Sequence, residues 1–209
     1  DGAQNHRCSC RGRRFVGDHQ MTYNGCLSGI VHMVKSMLVR GIGIRDVSAM
    51  LKISIATVLN ALKSGKYEIK PKGSRYDRLE TDEFWTHVGK KKTKVRLIYA
   101  CHRESGDIVA YVWGKRGLKT AKKLRKRLRR LGASYGRMAM DDWGGFVSAF
   151  GEDNRSVGKE RAVGMEGSNC RLRHRMRRVF RKACRFSKKP QNHWNAFNMA
   201  FFSINYGFV

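Results

Sequence analysis

Apolar residues recur at helical spacing from Leu27 onward, at Ile30, Val31, Val34, Met37 and Leu38, until Gly41-Ile42-Gly43 interrupts them. That period predicts an amphipathic helix closed by a turn. Val47, Met50 and Leu51 continue the pattern, Ile53 opens a short turn, and Ser54 precedes a run holding Val58, Leu59 and Leu62. Two short helices about a tight turn are the pattern of a helix-turn-helix. Upstream, residues 1–26 are polar and glycine-bearing with no stable period and read as a fragment; the chain opens at Asp1 rather than Met, so a preceding segment is expected.

Residues 65–78, GKYEIKPKGSRYDR, set a proline and two glycines among charges and read as a linker. From residue 79 the period changes. ETDEFWTHVG, KVRLIYACHR and GDIVAYVWG predict three strands in an antiparallel meander, the last following the turn signal Ser105 to Asp107. Leu118 to Leu131 then places Leu118, Ala121, Leu124, Leu128 and Leu131 on one face, with nearly every other position Lys or Arg. This is a strongly amphipathic basic helix. Gly132 stops it, and Arg137 to Met140 reads as a fourth, buried strand. A short helix over Phe146 to Phe150 and a short strand within Asn154 to Lys159 follow. Glu166 to Lys189 predicts a long Arg-rich helix with Leu172, Met176, Val179, Phe180 and Ala183 on one face. The aromatic run from His193 to Phe208 predicts a helix packed on the core. The expected organisation is a partial zinc-ribbon-like segment at 1–26, a helix-turn-helix at 27–64, a linker at 65–78 and an α/β domain at 79–209.

Charge changes the picture most. The 209 residues hold 44 Lys and Arg against 16 Asp and Glu, a formal net charge of +28. Such an excess repels itself in a compact state, and a polyanionic partner offsets it through phosphate contacts and counterion release. Nucleic acid is the expected partner. A membrane is not, because the cations spread along the whole chain rather than gathering in one amphipathic anchor, no run of about 18 uncharged apolar residues occurs, and no signal-peptide pattern opens the chain. A cytoplasmic, nucleoid-associated location is expected. The six cysteines are too scattered for a disulfide framework and should be mostly reduced thiols. The basic segments Lys115 to Arg130 and Arg171 to Lys189 contain no Asp or Glu, so intrahelical salt bridges cannot account for them. DNA phosphates can, and such contacts position a duplex without specifying sequence.

Three strands, a helix, a fourth strand ending in an acid, and a later helix bearing an acid describe a ribonuclease-H-like mixed sheet with helices on both faces. Phosphodiester chemistry with two Mg²⁺ ions, or Mn²⁺ as a substitute, needs carboxylates on rigid elements because hard cations take oxygen ligands in fixed geometry. Location selects Asp82 in the first strand, Asp141 at the end of the fourth and Glu166 at the start of the late basic helix. An acid beside a phosphate-binding surface opposes affinity unless a metal ion bridges the two. Each acid alone has a plainer reading: a strand-end Asp is commonly a turn or cap residue, and Glu166 suits a helix N-terminus. The four tryptophans read as core, and Cys101 and His102 carry no assigned chemistry.

The motifs TDEFW, MDDW and MEGSNCRLRHRMRR, with the helix-turn-helix upstream, resemble the transposases of the insertion sequence one family over nearly the whole chain. That resemblance implies an Asp-Asp-Glu triad at Asp82, Asp141 and Glu166, with Asn169 and Arg173 matching the family's helix signature on the face of Glu166. For Arg173 a phosphate-facing or solvated arginine is an equal reading. The family pattern sets the catalytic Asp two residues before Trp143, and strand alternation lets only one of Asp141 and Asp142 face inward; Asp142 would then cap the helix starting near Trp143. The reverse assignment stays open. The resemblance also implies a zinc-binding segment. Cys8 and Cys10 would be its second half, with His6 as a substitute ligand, although one intervening residue is tighter than the usual spacing and no second pair is present. Binding of double-stranded DNA, both terminal inverted repeats and target, is implied through Arg45, Ser54, Thr57, Asn60 and Lys63 in the major groove and through Lys122, Lys123, Arg127, Arg171, Arg173, Arg177 and Arg178 on the backbone. Joining two element ends implies a homodimer or higher oligomer. The rival expectations are a nuclease or junction resolvase without strand transfer, and a non-catalytic regulator with no need of the three acids.

Overall fold

The computed structural model describes residues 5–16, 23–151, 155–157, 167, 170, 172–175 and 187–209. Short strands β1 (Asn5–Arg7) and β2 (Arg14–Val16) form an antiparallel hairpin, so part of the segment read as aperiodic is ordered by pairing. The Cys8 amide donates to the Arg13 carbonyl at 2.8 Å and closes the turn, where Gly12 takes a φ of 59°. Three helices follow, α1 (Ile30–Val39), α2 (Ile44–Leu51) and α3 (Ile55–Ser64). Their buried stripes, Ile30, Val34 and Leu38 on α1, Val47 on α2, and Val58, Ala61 and Leu62 on α3, have the four-residue spacing that the sequence shows. Lys52 ends α2 in the left-handed region at φ 52°, and α3 leaves at 115° to α2.

β3 (Arg75–His87), β4 (Lys94–His102) and β5 (Ile108–Gly114) form the antiparallel meander. Helix α4 (Leu118–Arg130) carries the chain back to β6 (Ser134–Met140), which lies parallel to β3 on its other side. Helix α5 (Gly144–Ala149) and strand β7 (Arg155–Val157) complete a five-stranded sheet in the order β5-β4-β3-β6-β7. Helix α6 (Pro190–Tyr206) closes the chain. A mixed sheet of this order and sense, with helices on both faces, fits the ribonuclease-H-like arrangement. One face buries Ile98, Ala100, Met138 and Met140 under α4 and α5; the other buries Phe84, Leu97 and Tyr99 under α6 with Phe197 and Phe201. The aromatic C-terminal run packs as expected, and Trp113 stacks beside Trp194 at 4.4 Å and Phe197 at 4.8 Å.

The segment expected as a linker is partly built into the fold. Ile69 is buried in the core under α6, and the Lys70 amide and carbonyl both bond the Tyr206 hydroxyl, at 3.2 and 3.3 Å. Strand β3 already starts at Arg75. The core beneath α6 runs without a break from Val34 and Leu62 to Leu97 and Tyr99. A single apolar residue among charges carries no period, so Ile69 gains its partner only in three dimensions.

Candidate active site

Alternation along β3 puts Glu80, Asp82 and Phe84 on one face, opposite Cys101, Tyr99 and Leu97 of β4. This is the face that α6 covers. On the other side of β3, Glu80 pairs with Ala139 and Thr81 with Met140 in parallel register. One step further brings Asp141, the first residue past β6, beside Asp82 and onto the same face as Ala139. Parallel strands lie about 4.8 Å apart, so the register brings the backbones of Asp82 and Asp141 side by side at the sheet's upper edge. Both residues are half-buried. The Glu83 amide donates to the Asp82 carboxylate at 2.6 Å, and the Asp142 amide donates to that of Asp141 at 2.9 Å.

Asp142 does not act as expected. Helix α5 starts at Gly144 with Trp143 as its N-cap residue and no side-chain cap, which leaves the exposed Asp142 one position too early to reach the free amides of the first turn. Trp143 instead fixes the turn. Its amide donates to the Asp141 carbonyl at 2.7 Å, its ring meets Phe146 edge-on at 4.8 Å, and the Arg116 guanidinium lies 5.2 Å from its centroid. A Cβ on Gly145 would collide with that ring, which explains the glycine in WGG.

The neighbouring acids are committed elsewhere. Glu80 is fully buried and ion-paired with Arg103, with Arg78 at 3.8 Å; Glu83 projects to the opposite face, where it pairs with Arg96 and, at 3.0 Å, with Arg116. Asp107 pairs with Lys72 at 3.0 Å. Asp141 makes no ion pair among the described residues of a chain rich in Lys and Arg. A half-buried carboxylate beside a second one, without an organic cation, is suited to a hard divalent ion. The described residues contain no group of three or more His, Cys, Asp or Glu side chains placed to hold a metal. Sequence reasoning missed Glu80, Glu83, Arg96, Arg103 and Arg116; the alternation of acids in ETDE was the available signal.

Glu166, Asn169, Arg171, Arg177 and Arg178 lie outside the described residues. Residues 172–175 are helical and dock on the same face as Asp82. Leu172 is buried in the core under α6, the Arg175 guanidinium donates to the Ser203 hydroxyl at 3.5 Å, and the Arg173 guanidinium sits 5.8 Å from the Phe84 centroid, two residues along β3 from Asp82. Of the basic helix, Lys122 and Lys123 are exposed, whereas Arg127 lies 4.8 Å from the Tyr111 ring and is half-buried.

On the N-terminal helices Arg45, Ser54, Asn60 and Lys63 are exposed and Thr57 is half-buried. Ala56, Asn60 and Lys63 share one outward stripe. Ser54 caps α3, accepting from the Thr57 amide at 3.0 Å. The Tyr23 hydroxyl accepts from the Ser54 amide at 2.9 Å and bonds the Thr57 hydroxyl at 2.6 Å, occupying the start of α3. These hydroxyl and amide contacts, those of Ser54 first, hold the Tyr23 phenol below its ordinary range. At the hairpin tip the Cys8 and Cys10 sulfurs lie 3.0 Å apart, and the bond from Cys10 is the main cause lowering the Cys8 thiol. Among the described residues Cys8, Cys10, Cys26, Cys101 and Cys170 are free thiols.

Two solved structures resemble the chain loosely: a simian T-cell lymphotropic virus intasome in complex with a PP2A regulatory subunit (16% identity, 83% of this chain and 68% of that one, TM-score 0.46) and the Mos1 mariner paired end complex with Mn (9%, 82% and 73%, TM-score 0.33). The fold assignment rests on the strand order rather than on these. Among sequences, the insertion element iso-IS1n protein InsB of Shigella dysenteriae is 32% identical over 114 residues, 54% of this chain and 86% of that protein. The IS1 protein InsB of Shigella flexneri is 31% identical with the same coverage, and an IS1 InsB of Escherichia coli K12 is 30% identical, with 67% of its length matched. The IS1 transposase family profile matches residues 78–203.

Proposed function

Because this chain belongs to the IS1 transposase family, we propose that it binds the ends of an insertion element and catalyses the cleavage and joining of DNA strands. The observation that carries this reading is the register of β3 and β6, which sets Asp141 beside Asp82 on one face with no cation paired to Asp141. In this reading Asp82 and Asp141 would hold divalent metal, with Glu166 as the third ligand and Asn169 supporting it. Bound there, Mg²⁺ or Mn²⁺ would supply Lewis-acid activation of the attacking oxygen and stabilisation of the leaving one.

The chain's own groups do the positioning. Strand β3 holds Asp82, and the turn directly after β6 holds Asp141, so little reorganisation accompanies reaction. Arg173, above Phe84 on the same face, orients the phosphate, and Arg171, Arg177 and Arg178, outside the described residues, would contact the DNA backbone. Arg116, held by Glu83 and stacked on Trp143, keeps the Asp141 turn in place from the opposite face. The pair α2 and α3 acts as a helix-turn-helix: Asn60 and Lys63 on the outward stripe of α3 enter the major groove, Arg45 contacts the backbone, and Ser54 and Thr57 contribute once Tyr23 gives way. Lys122 and Lys123 on α4 add backbone contacts. Cys8 and Cys10 would supply half of a tetrahedral zinc site. Joining two ends calls for two or more copies on DNA.

The test is incubation with an element-end duplex and a target plasmid in Mg²⁺, comparing wild type with Asp141→Ala and Asp142→Ala. Joined products from wild type and from Asp142→Ala, but none from Asp141→Ala, are expected. Cleavage without joining would identify a nuclease, and undiminished joining by Asp141→Ala would overturn the site.

A further inference from the structure

Glu83 and Arg116 hold no metal in the reading above, yet through their neighbours they touch both of its carboxylates. The Glu83 amide donates to the Asp82 carboxylate at 2.6 Å. Its own side chain, only 12% exposed, projects to the opposite face and pairs with Arg96 and, at 3.0 Å, with Arg116. The Arg116 guanidinium lies 5.2 Å from the Trp143 centroid, and the Trp143 amide donates to the Asp141 carbonyl at 2.7 Å. One path of contacts therefore runs from Asp82 through Glu83, Arg116 and Trp143 to Asp141.

Asp141 depends on that path more than Asp82 does. Ladder pairing between β3 and β6 ends at Thr81 and Met140, so Asp141 takes its position from its turn. The Trp143 ring is fixed on two more sides, edge-on to the buried Phe146 at 4.8 Å and against Gly145, where a Cβ would not fit. Arg116 leaves the sheet two residues past β5 and reaches across β4 to β3. It fastens the turn to the strand that carries Asp82. Arg96 offers a contrast, because it holds the same Glu83 carboxylate from β4, on the side of β3 away from β6.

Rigidity of this kind discriminates between ions. Mg²⁺ demands near-ideal octahedral geometry, whereas Ca²⁺ accepts more oxygens in a flexible arrangement. We infer that Glu83, Arg116 and Trp143 are positioning residues that fix the spacing of the Asp82 and Asp141 carboxylates and so make the site selective for Mg²⁺ over Ca²⁺. The inference rests on the metal-holding reading above. Charge predicts the opposite sign: a nearby guanidinium repels any divalent ion, so its removal would tighten both.

The experiment is isothermal titration calorimetry of the whole chain with Mg²⁺ and, separately, with Ca²⁺, in the absence of DNA. Arg116→Met keeps the aliphatic stem and removes the guanidinium. Loss of an outer partner typically weakens metal binding about 10–100-fold, and that loss is expected for Mg²⁺ with the Ca²⁺ Kd nearly unchanged. Trp143→Leu should do the same, and the double variant should be no worse than either single one, since both break one path. Arg96→Met should keep the wild-type ratio of the two Kd values. If Arg116→Met does not fold, Arg116→Lys keeps a cation for Glu83 without the planar stacking, and should still weaken Mg²⁺ more than Ca²⁺. Tighter binding of both ions by the Arg116 variant, parallel weakening of both, or an equal shift in Arg96→Met overturns the inference. Asp141→Asn should lose both ions. A wild type that binds neither would sink the metal reading and the inference together, whereas binding lost in Asp141→Asn with the Arg116 variant's ratio unmoved sinks the inference alone.

Discussion

Replacing Asp141 by Asn should abolish the stabilisation that a divalent ion confers, whereas the same change at Asp142 should not. The perturbation is small in the metal-free protein, because Asn keeps the oxygen that accepts the Asp142 amide and removes one of two like charges that the β3-β6 register sets side by side. Metal-free Asp141→Asn should thus be no less stable than wild type, against the usual sign for a mutation at a half-buried position. With metal the difference opens. An ion present at a hundred times its Kd stabilises the folded state by about 2.7 kcal/mol. For a chain of this size each kcal/mol moves Tm by about 2–4 °C, which gives a rise of about 5–10 °C. Thermal unfolding of wild type, Asp141→Asn and Asp142→Asn, with Mn²⁺ and with chelator, measures it without DNA. The reasoning fails if Asp141→Asn keeps the rise, or if Asp142→Asn loses it.

Three further outcomes follow from contacts in the fold. Arg103→Met strips the buried Glu80 carboxylate of its paired cation and should cost about 3 kcal/mol in urea unfolding, at the lower end for such a loss because Arg78 remains at 3.8 Å. Glu80→Met/Arg103→Met should recover most of that, and equal losses in single and double variants would reject the pairing. Tyr23→Phe frees the Ser54 amide and Thr57 hydroxyl at the start of α3, so duplex affinity by anisotropy should rise; a fall would make the Tyr23 hydroxyl itself a DNA contact. Burial pushes the Tyr111 phenol above 10.0, only partly offset by Arg127. The folded state therefore holds that proton more tightly, and stability is intact below pH 10.0 and falls as pH rises towards the folded pKa. Tyr111→Phe should blunt this alkaline loss in thermal melts, and unchanged sensitivity would refute it.

The order of elements was legible because each carries its own period. Leu124 and Leu128 mark α4, and the apolar runs of β4, β5 and β6 mark strands buried on both faces. Alternation alone says only that one of Asp141 and Asp142 faces inward; the choice of Asp141 came from the spacing to Trp143 in the family motif. The role given to Asp142 was not legible, because a cap depends on where a helix starts, and α5 begins at Gly144 with Trp143, not Asp142, at the cap position. Glu80 and Glu83 were passed over for a related reason: nothing local distinguishes an acid paired across the sheet from one held for a metal.

The sequence by itself determined the cationic character of this protein, the succession of helices and strands, and which residues of each share a face. Those properties follow from side chains a few positions apart on one element. Only the tertiary structure decided that β6 pairs parallel to β3 with Met140 opposite Thr81, that Ile69 and Tyr206 tie the N-terminal helices to the sheet, and that Arg116 meets both Glu83 and Trp143. Register and docking depend on which distant surfaces bury each other best. No period within a single element carries that information.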